Sequence, residues 1–304
     1  MPRPFPAAPK QDTFSRQFVW GKFYGLSKDP FDPQPDPRLM FLTENVREVW
    51  NSILSGIVQR KEFLLLGGEK GIGKTSLISC IYLYFATANS QKVKMVPLFD
   101  PVQNVDQILR IILRNLGFSM AGESKGSMLR WLDAELAQRS ARGQSVALIF
   151  DEVQNLRRET LEEIRILSNS SPKRPRLLQE IFVGDPEFEK SLIKDLTAIN
   201  QRIDVGGRFR LRPLTSEESL GFIEQRLNRA GSATCRVFTP RAVSLIIQAS
   251  GGNPETLNRI CRETLAAGHS QLKKKIDLGS VREALANLGM DKEPGWLLPP
   301  ETRP

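Results

Sequence analysis

A glycine-rich segment in the first third of the chain lies between an apolar run and an apolar-periodic helix pattern. It matches the spacing G-x-x-x-x-G-K-[ST] at every fixed position. Its residues, with the serine that follows, are Gly68, Glu69, Lys70, Gly71, Ile72, Gly73, Lys74, Thr75 and Ser76. A strand leading in and a helix leading out aim the backbone amides of the turn at one place, where they favour a polyanion. The segment therefore predicts a phosphate-binding loop rather than a chance glycine turn, with these residues as its contacts.

Two positions of this loop and two acids elsewhere predict the chemistry. Lys74 brings a positive charge to the β- and γ-phosphates, and the Thr75 hydroxyl suits a Mg²⁺ ligand. Asp151 and Glu152 follow the continuous apolar run 145–150, and ligands bind at the carboxyl ends of such buried strands. Asp151 is predicted to hold Mg²⁺ opposite Thr75, and Glu152 to act as general base on water. An Asp-Glu pair alone would be a plain strand end, but the loop in the same chain favours the metal-and-base interpretation.

Strand and helix patterns alternate over the first two thirds of the chain. Apolar runs predict strands at 63–66, 93–99, 145–150 and 177–184. Helical spacing predicts helices at 43–58, 76–83, 104–116, 128–139 and 161–167. This alternation predicts the α/β class, with a parallel sheet covered by helices on both faces.

The pattern becomes all-helical beyond residue 212. A capping box beginning at Thr215 starts one helix, and Thr239-Pro240 supplies the N-cap and first position of the next. Two further helices fit 254–267 and 278–288. The predicted domains are a flexible extension at 1–22, an α/β nucleotide-binding domain at 23–212, a small helical lid at 213–290 and a disordered tail at 291–304.

Composition limits the location and the partners. No apolar stretch is long enough to cross a bilayer, no secretory signal is present, and three cysteines show neither disulfide nor metal spacing. These features predict a cytoplasmic protein. A net charge of +9 and a pI near 9.6 suit a polyanionic partner such as nucleic acid. Local basic clusters occur at 157–158, 173–176 and 273–275, although most basic residues are expected to form solvated surface.

Several segments in register resemble the AAA+ ATPases, and more narrowly their ExeA/GspA (general secretion pathway protein A-like) group. They are Phe-Tyr-Gly-Leu at 23–26, Asp-Glu-Val-Gln-Asn-Leu at 151–156, Val-Gly-Asp-Pro-Glu at 183–187, Gln-Arg-Ile at 201–203, Leu-Arg-Pro-Leu-Thr at 211–215 and Ser-Gly-Gly-Asn-Pro at 250–254. The resemblance covers about residues 23–290. It implies a P-loop NTPase (AAA+) core followed by a helical lid, ATP and Mg²⁺ as ligands, and ATP hydrolysis to ADP and phosphate.

The resemblance also implies roles for individual residues. Asp185 stands where the family carries its sensor-1 polar residue, which positions the attacking water. Arg202 aligns with the arginine that reaches the γ-phosphate of a neighbouring subunit; the alternative is a surface arginine beside Asp204. Asn169 is a candidate for orienting Glu152.

One departure from the family pattern concerns the sensor-2 arginine. Glu255 occupies its place, and a carboxylate cannot pair with a phosphate. Arg259 lies four residues on, hence on the same helix face, and is the candidate substitute.

These inferences favour an ATP-driven switch that assembles or remodels a partner complex, as the ExeA/GspA resemblance implies. A homo-oligomeric ring or filament would place its sites at subunit interfaces, and a partner would bring it to the inner membrane. One alternative is a DNA-bound regulator resembling the TnsC/TniB transposition proteins, which the basic charge favours. Another is a nucleotide-gated scaffold with little turnover, which Glu255 suggests.

Overall fold

The computed structural model describes residues 20–33, 39–87, 92–98, 104–119, 122–168, 178–203, 205–231 and 237–290. The described residues form two compact units. The first comprises the described parts of 44–70 and 74–212, and the second those of 20–43, 71–73 and 213–290.

The first unit is built on a five-stranded parallel sheet in the order β2-β3-β4-β1-β5. The strands are β1 (Phe63–Gly67), β2 (Val93–Leu98), β3 (Ser145–Phe150), β4 (Leu178–Val183) and β5 (Arg208–Arg210). The helices are α1 (Glu44–Val58), α2 (Lys74–Thr87), α3 (Val105–Asn115), α4 (Lys125–Ala141), α5 (Arg158–Ser168), α6 (Pro186–Lys194) and α7 (Thr197–Asn200). The predicted α/β class with a parallel sheet is confirmed.

Helices cover both faces of this sheet, which explains the continuous apolar strands. Every residue of β1, β3 and β4 is buried. Leu65 packs in one core cluster with side chains of α3 to α7. Leu64 points to the opposite face, where Gly56 of α1 lies so close that a Cβ there would be 2.8 Å from a Leu64 methyl group. Parallel strands buried on two sides favour such runs over alternation.

The strand order brings three strand ends of functional interest together. β4 pairs with β1 on one side and with β3 on the other. The loop that follows β1, Asp151 after β3 and Asp185 after β4 therefore share the carboxyl edge of the sheet. Ligands bind at this edge in open α/β folds.

The second unit contains four helices: α8 (Ser216–Arg229), α9 (Pro240–Ser250), α10 (Pro254–Ser270) and α11 (Leu278–Asn287). The predicted capping box is present, since Thr215 accepts from the Glu218 amide and the Glu218 carboxylate accepts from the Thr215 amide. Thr239 likewise caps α9, whose first residue is Pro240. The predicted helical region is confirmed.

The N-terminal part of the described chain differs from the predicted domain scheme. Residues 23–43 were assigned to the α/β domain, whereas Leu26 and Phe31, together with Trp20, are buried in the core cluster of the helical unit. These three apolar side chains pack with side chains of α8 to α11, so the segment joins the helical unit although it precedes the α/β residues in sequence. In the structure, the second unit resumes at Pro213.

Several segments and residues named in the sequence analysis lie outside the described part of the chain. The extension at 1–19, the tail at 291–304, the basic cluster at 173–176, Asn169 and Asp204 all lie outside the part of the chain that the structure describes. In the described part, no helix has the length and apolarity needed to cross a bilayer.

Candidate nucleotide-binding site

The loop after β1 has the backbone of a phosphate cradle. Gly68, Gly71 and Gly73 have φ angles of 150°, 76° and 104°, a backbone region that residues other than glycine rarely adopt. Helix α2 begins directly at Lys74, so its N-terminus faces the turn. Glu69 and Lys70 are exposed at the turn, while Ser76 is half-buried in the first turn of α2. The predicted strand, loop and helix therefore occur in the order that phosphate binding requires.

Lys74 is buried inside this loop, with a residue exposure of 5%. Its ammonium donates to the carbonyls of Gly68 (2.8 Å) and Glu69 (2.9 Å). These two bonds hold the ammonium against the backbone at the start of the turn.

Four carboxylates act electrostatically on the Lys74 ammonium. Burial lowers the pKa of Lys74 below its ordinary value, and the four negative charges oppose that shift. In decreasing order of effect they belong to Glu152, Asp151, Asp185 and Glu189. The structure thus brings the predicted loop lysine, metal ligand, base and sensor residue into one electrostatic cluster.

Thr75 and Asp151 form the contact that the sequence predicts between the loop and the acid strand. The Thr75 hydroxyl donates to Asp151 Oδ2 at 2.7 Å, although the two residues are 76 positions apart. Mg²⁺ prefers oxygen ligands and is commonly held by one or two side chains together with substrate phosphates. Among the described residues, no group of three or more His, Cys, Asp or Glu side chains could hold a metal ion unaided. The Thr75–Asp151 oxygens fit a Mg²⁺ ion shared with a phosphate chain.

Glu152 adopts a strained backbone at the end of β3. Its φ of 49° and ψ of 44° lie in the left-handed region, which costs a non-glycine residue about 1–3 kcal/mol and often marks functional sites. Gln154 donates from Nε2 to Glu152 Oε2 at 2.5 Å. Gln154 therefore holds the side chain of the predicted base, while the role predicted for Asn169 stays a prediction.

Asp185 follows β4 and caps α6. Its Oδ1 accepts the Phe188 amide at 2.9 Å, and Pro186 occupies the first helical position. Asp is a strong N-cap residue, so capping gives Asp185 a structural role beside its predicted one. Its predicted role toward the attacking water stays a prediction.

Arg202 lies away from the loop of its own chain. Its guanidinium forms an ion pair with Glu62 (3.2 Å) and lies 5.6 Å from the centre of the Phe63 ring. These partners are at the amino end of β1, whereas the loop leaves the carboxyl end, roughly 16 Å away for five strand residues. Arg202 is thus separated from the cluster around Lys74.

The two predicted sensor-2 residues lie on α10 of the second unit. Glu255 is in the first turn, where its amide donates to the capping side chain of Asn253. Arg259 makes a 3.5 Å contact with the sulfur of Met290. A nucleotide-binding role for Arg259 stays a prediction.

Glu189 is the member of the cluster that sequence reasoning missed. It lies on α6 four residues after Asp185 and forms an ion pair with Arg210 of β5 at 2.6 Å. The only signal in the sequence was that spacing, which places both acids on one helix face.

A glycine turn between a central parallel strand and a helix, with an acid pair on a neighbouring strand end, defines a P-loop nucleoside triphosphatase fold. A family model described as "AAA domain" matches residues 58–192. That range contains the loop, the acid strand and Asp185.

Curated relatives extend the match along the chain. General secretion pathway protein A of Aeromonas hydrophila is 29% identical over 282 residues, which are 91% of this chain and 50% of the relative. The chain thus spans about half the length of that relative. The ATP-dependent target DNA activator B of Escherichia phage Mu is 23% identical over 259 residues, covering 81% of this chain and 78% of the activator.

A solved structure shares the fold. The crystal structure of Cdc6p from Pyrobaculum aerophilum superposes with a TM-score of 0.66 at 18% identity, over 86% of this chain and 71% of that one. The AAA domain match and the similarity to general secretion pathway protein A confirm the resemblance drawn from the motifs.

Proposed function

We propose that the protein binds and hydrolyses ATP with Mg²⁺. The observation that carries the proposal is the Thr75–Asp151 contact of 2.7 Å beside the buried Lys74, with Glu152 next in sequence. This arrangement combines a cationic phosphate cradle, a metal ligand pair and a general base. Related proteins of this class use these elements for phosphoryl transfer to water.

In the proposed reaction, each residue has a separate task. Lys74 and the loop amides bind the β- and γ-phosphates, and Thr75 and Asp151 hold the metal. When bound, Mg²⁺ neutralises negative charge on the phosphate oxygens. Glu152, oriented by Gln154, accepts a proton from the attacking water, which Asp185 helps to position.

Arg202 completes the site of a neighbouring copy in this proposal. Its distance from its own loop supports action in trans, since the side chain cannot span roughly 16 Å of strand to its own phosphates. Copies would then associate head to tail as a ring or filament. Such an arginine stabilises charge that develops in the transition state.

The energy of hydrolysis is proposed to drive assembly or remodelling of a partner complex. Similarity to general secretion pathway protein A favours this use, with a cytoplasmic protein brought to the inner membrane by its partner. The second candidate is a nucleotide-dependent, DNA-bound regulator. The net charge of +9 and the similarity to a target DNA activator favour it.

One experiment tests the proposal and separates the candidates. ATP hydrolysis by the full chain is measured with and without Mg²⁺ and duplex DNA, at about 50 and about 200 mM salt. We expect Mg²⁺-dependent turnover that Lys74→Ala abolishes and that Lys94→Ala, an exposed lysine of β2, retains. Failure of the wild-type protein to bind nucleotide would overturn the proposal.

The measurements with duplex DNA distinguish the partner-remodelling ATPase from the DNA-bound regulator. Strong stimulation by DNA that falls steeply with salt would favour the DNA-bound regulator, because phosphate contacts release counterions. Tight nucleotide binding without turnover would favour the scaffold that Glu255 suggests.

A further inference from the structure

An ion pair crosses the end of β1 directly before the phosphate loop. Glu189 extends from α6 to Arg210, and its Oε2 lies 2.6 Å from Arg210 Nη2. Arg210 is the β5 residue that pairs in register with Gly67, the last residue of β1. The ion pair thus joins α6 to the edge strand β5 beside Gly67, the residue before the phosphate loop.

The Glu189 carboxylate occupies the space in which a side chain on Gly67 would begin. A Cβ on Gly67 would overlap Glu189 Oε1 and would lie 2.8 Å from its Cδ. Gly67 has no positive φ, so its backbone conformation suits any residue. The carboxylate therefore lies against the backbone at the start of the loop.

This carboxylate is poorly placed for binding an anion. Its Oε1 is buried and makes no hydrogen bond among the described residues. Its charge acts on Lys74, whose ammonium bonds to the carbonyl of Gly68. A triphosphate in the loop would meet the same negative charge, and like charges at short range in a partly buried site repel.

Arg210 supplies the opposite charge. Its side chain is 59% exposed, whereas that of Glu189 is 22% exposed. Because Glu189 is the less exposed partner, removing the guanidinium would leave a half-buried negative charge near the start of the loop. Screening by water limits the size of this effect without changing its sign.

We propose that Arg210 sets the affinity for the nucleotide triphosphate by neutralising Glu189 at the entrance of the phosphate loop. The inference rests on the proposed nucleotide binding. Arg210 acts through Glu189 in this scheme, so it is a positioning and charge-balancing residue rather than a catalytic one.

A double-mutant cycle tests the proposal with Mg-ATP as the probe, by calorimetric titration of the full chain at low salt. Arg210→Gln should weaken binding about threefold to fivefold, in line with the modest strength of solvent-exposed ion pairs. Glu189→Gln should bind as tightly as wild type or more tightly, and the double variant should return to wild-type affinity. Arg210→Lys should retain affinity because it keeps the charge.

Matched controls separate charge from structure. Arg212→Gln removes a looser ion pair with Glu48 (4.0 Å) between two well-exposed side chains, and affinity should not change. Equal loss in Glu189→Gln and Arg210→Gln, without recovery in the double variant, would mean that the ion pair only braces the strand, and would overturn the proposal. So would an unchanged Arg210→Gln. If the wild-type protein fails to bind Mg-ATP, the proposed function itself fails, which is a distinct result.

Discussion

At the scale of single residues, the two neighbouring acids of the site, Asp151 and Glu152, differ in backbone strain and in hydrogen-bond partners. Glu152 has a positive φ, and its side chain is bound by Gln154. Asp151 accepts from both the Thr75 hydroxyl and the Glu152 amide. The two neighbouring carboxylates therefore accept hydrogen bonds from different groups, which suits the separate roles proposed for them as metal ligand and proton acceptor.

Replacing Glu152 separates binding from turnover. Glu152→Gln should lower kcat about 10²–10⁴-fold, the range for loss of a general base, while Mg-ATP binding stays unchanged. Steady-state hydrolysis and calorimetric titration measure the two quantities. Glu159→Gln, an exposed acid of α5, is the matched control, and a similar loss there would contradict the assignment.

The sequence predicts a site residue when a short motif or a strand end fixes its position, and misses one whose contacts form only in the folded chain. Lys74, Thr75 and Asp151 were found because a short motif and a strand end fix their positions. Glu189 and Arg210 were missed because their ion pair joins a helix to a strand 21 positions further along, and only the folded sheet brings them together.

At the scale of elements, strong local signals predicted boundaries well. Strand β3 matches its predicted range at both ends, because its six residues are continuously buried. The cap of α8 fixed its start. Strand β5 was missed because Arg208–Arg210 has a single apolar residue, and its extended form comes from pairing with β1.

Two adjacent glycines after α9 should respond differently to alanine. At Gly252 (φ 75°) a Cβ would overlap the backbone carbonyl of Leu214, whereas at Gly251 (φ 56°) nothing lies within 4 Å. Gly251→Ala should cost about 1–2 kcal/mol of stability for its left-handed backbone. Gly252→Ala should cost clearly more, because the backbone must also move. Urea unfolding measures both, and equal costs would contradict this account.

The cap of α11 should make stability depend on pH. Hydrogen bonds from Lys273 and the Ser280 amide lower the pKa of Asp277 from 3.8 to about 2. This contribution is present above about pH 4 and is lost as the pH falls toward 2, because the folded state then binds the proton less readily than the unfolded state. Asp277→Asn should remove it while keeping a cap. Unfolding at several pH values checks the difference, and parallel curves for both proteins would contradict it.

At the scale of the whole molecule, the two ends of β1 carry different parts of the proposed chemistry. The phosphate loop leaves one end, and Arg202 is held by Glu62 and Phe63 at the other. The sequence predicts the loop from its motif and Arg202 from the resemblance, and the structure adds the length of β1 that separates them.

Mixing two inactive variants should restore activity. Lys74→Ala removes the loop cation, and Arg202→Ala removes the arginine that is proposed to act on a neighbour. In mixed assemblies, some sites combine an intact loop with an intact arginine from the adjacent copy. We expect each variant alone to hydrolyse ATP poorly and the mixture to hydrolyse it measurably faster.

The alternative outcome of this mixing experiment is equally clear. If Arg202→Ala alone retains full turnover, or if the mixture is no faster than the sum of its parts, the arginine is an ordinary partner of Glu62. Nucleotide binding by Arg202→Ala serves as the check that its loop is intact.

The proposed action of Arg202 in trans also has a consequence for the number of complete sites in an assembly. In an open row of copies, the first member has a loop that no arginine serves, and the last has an arginine with nothing to serve. Such a row holds one fewer complete site than it has members, so specific activity climbs with protein concentration as rows lengthen. A closed circle has no ends, and its activity per chain stays level once it has formed.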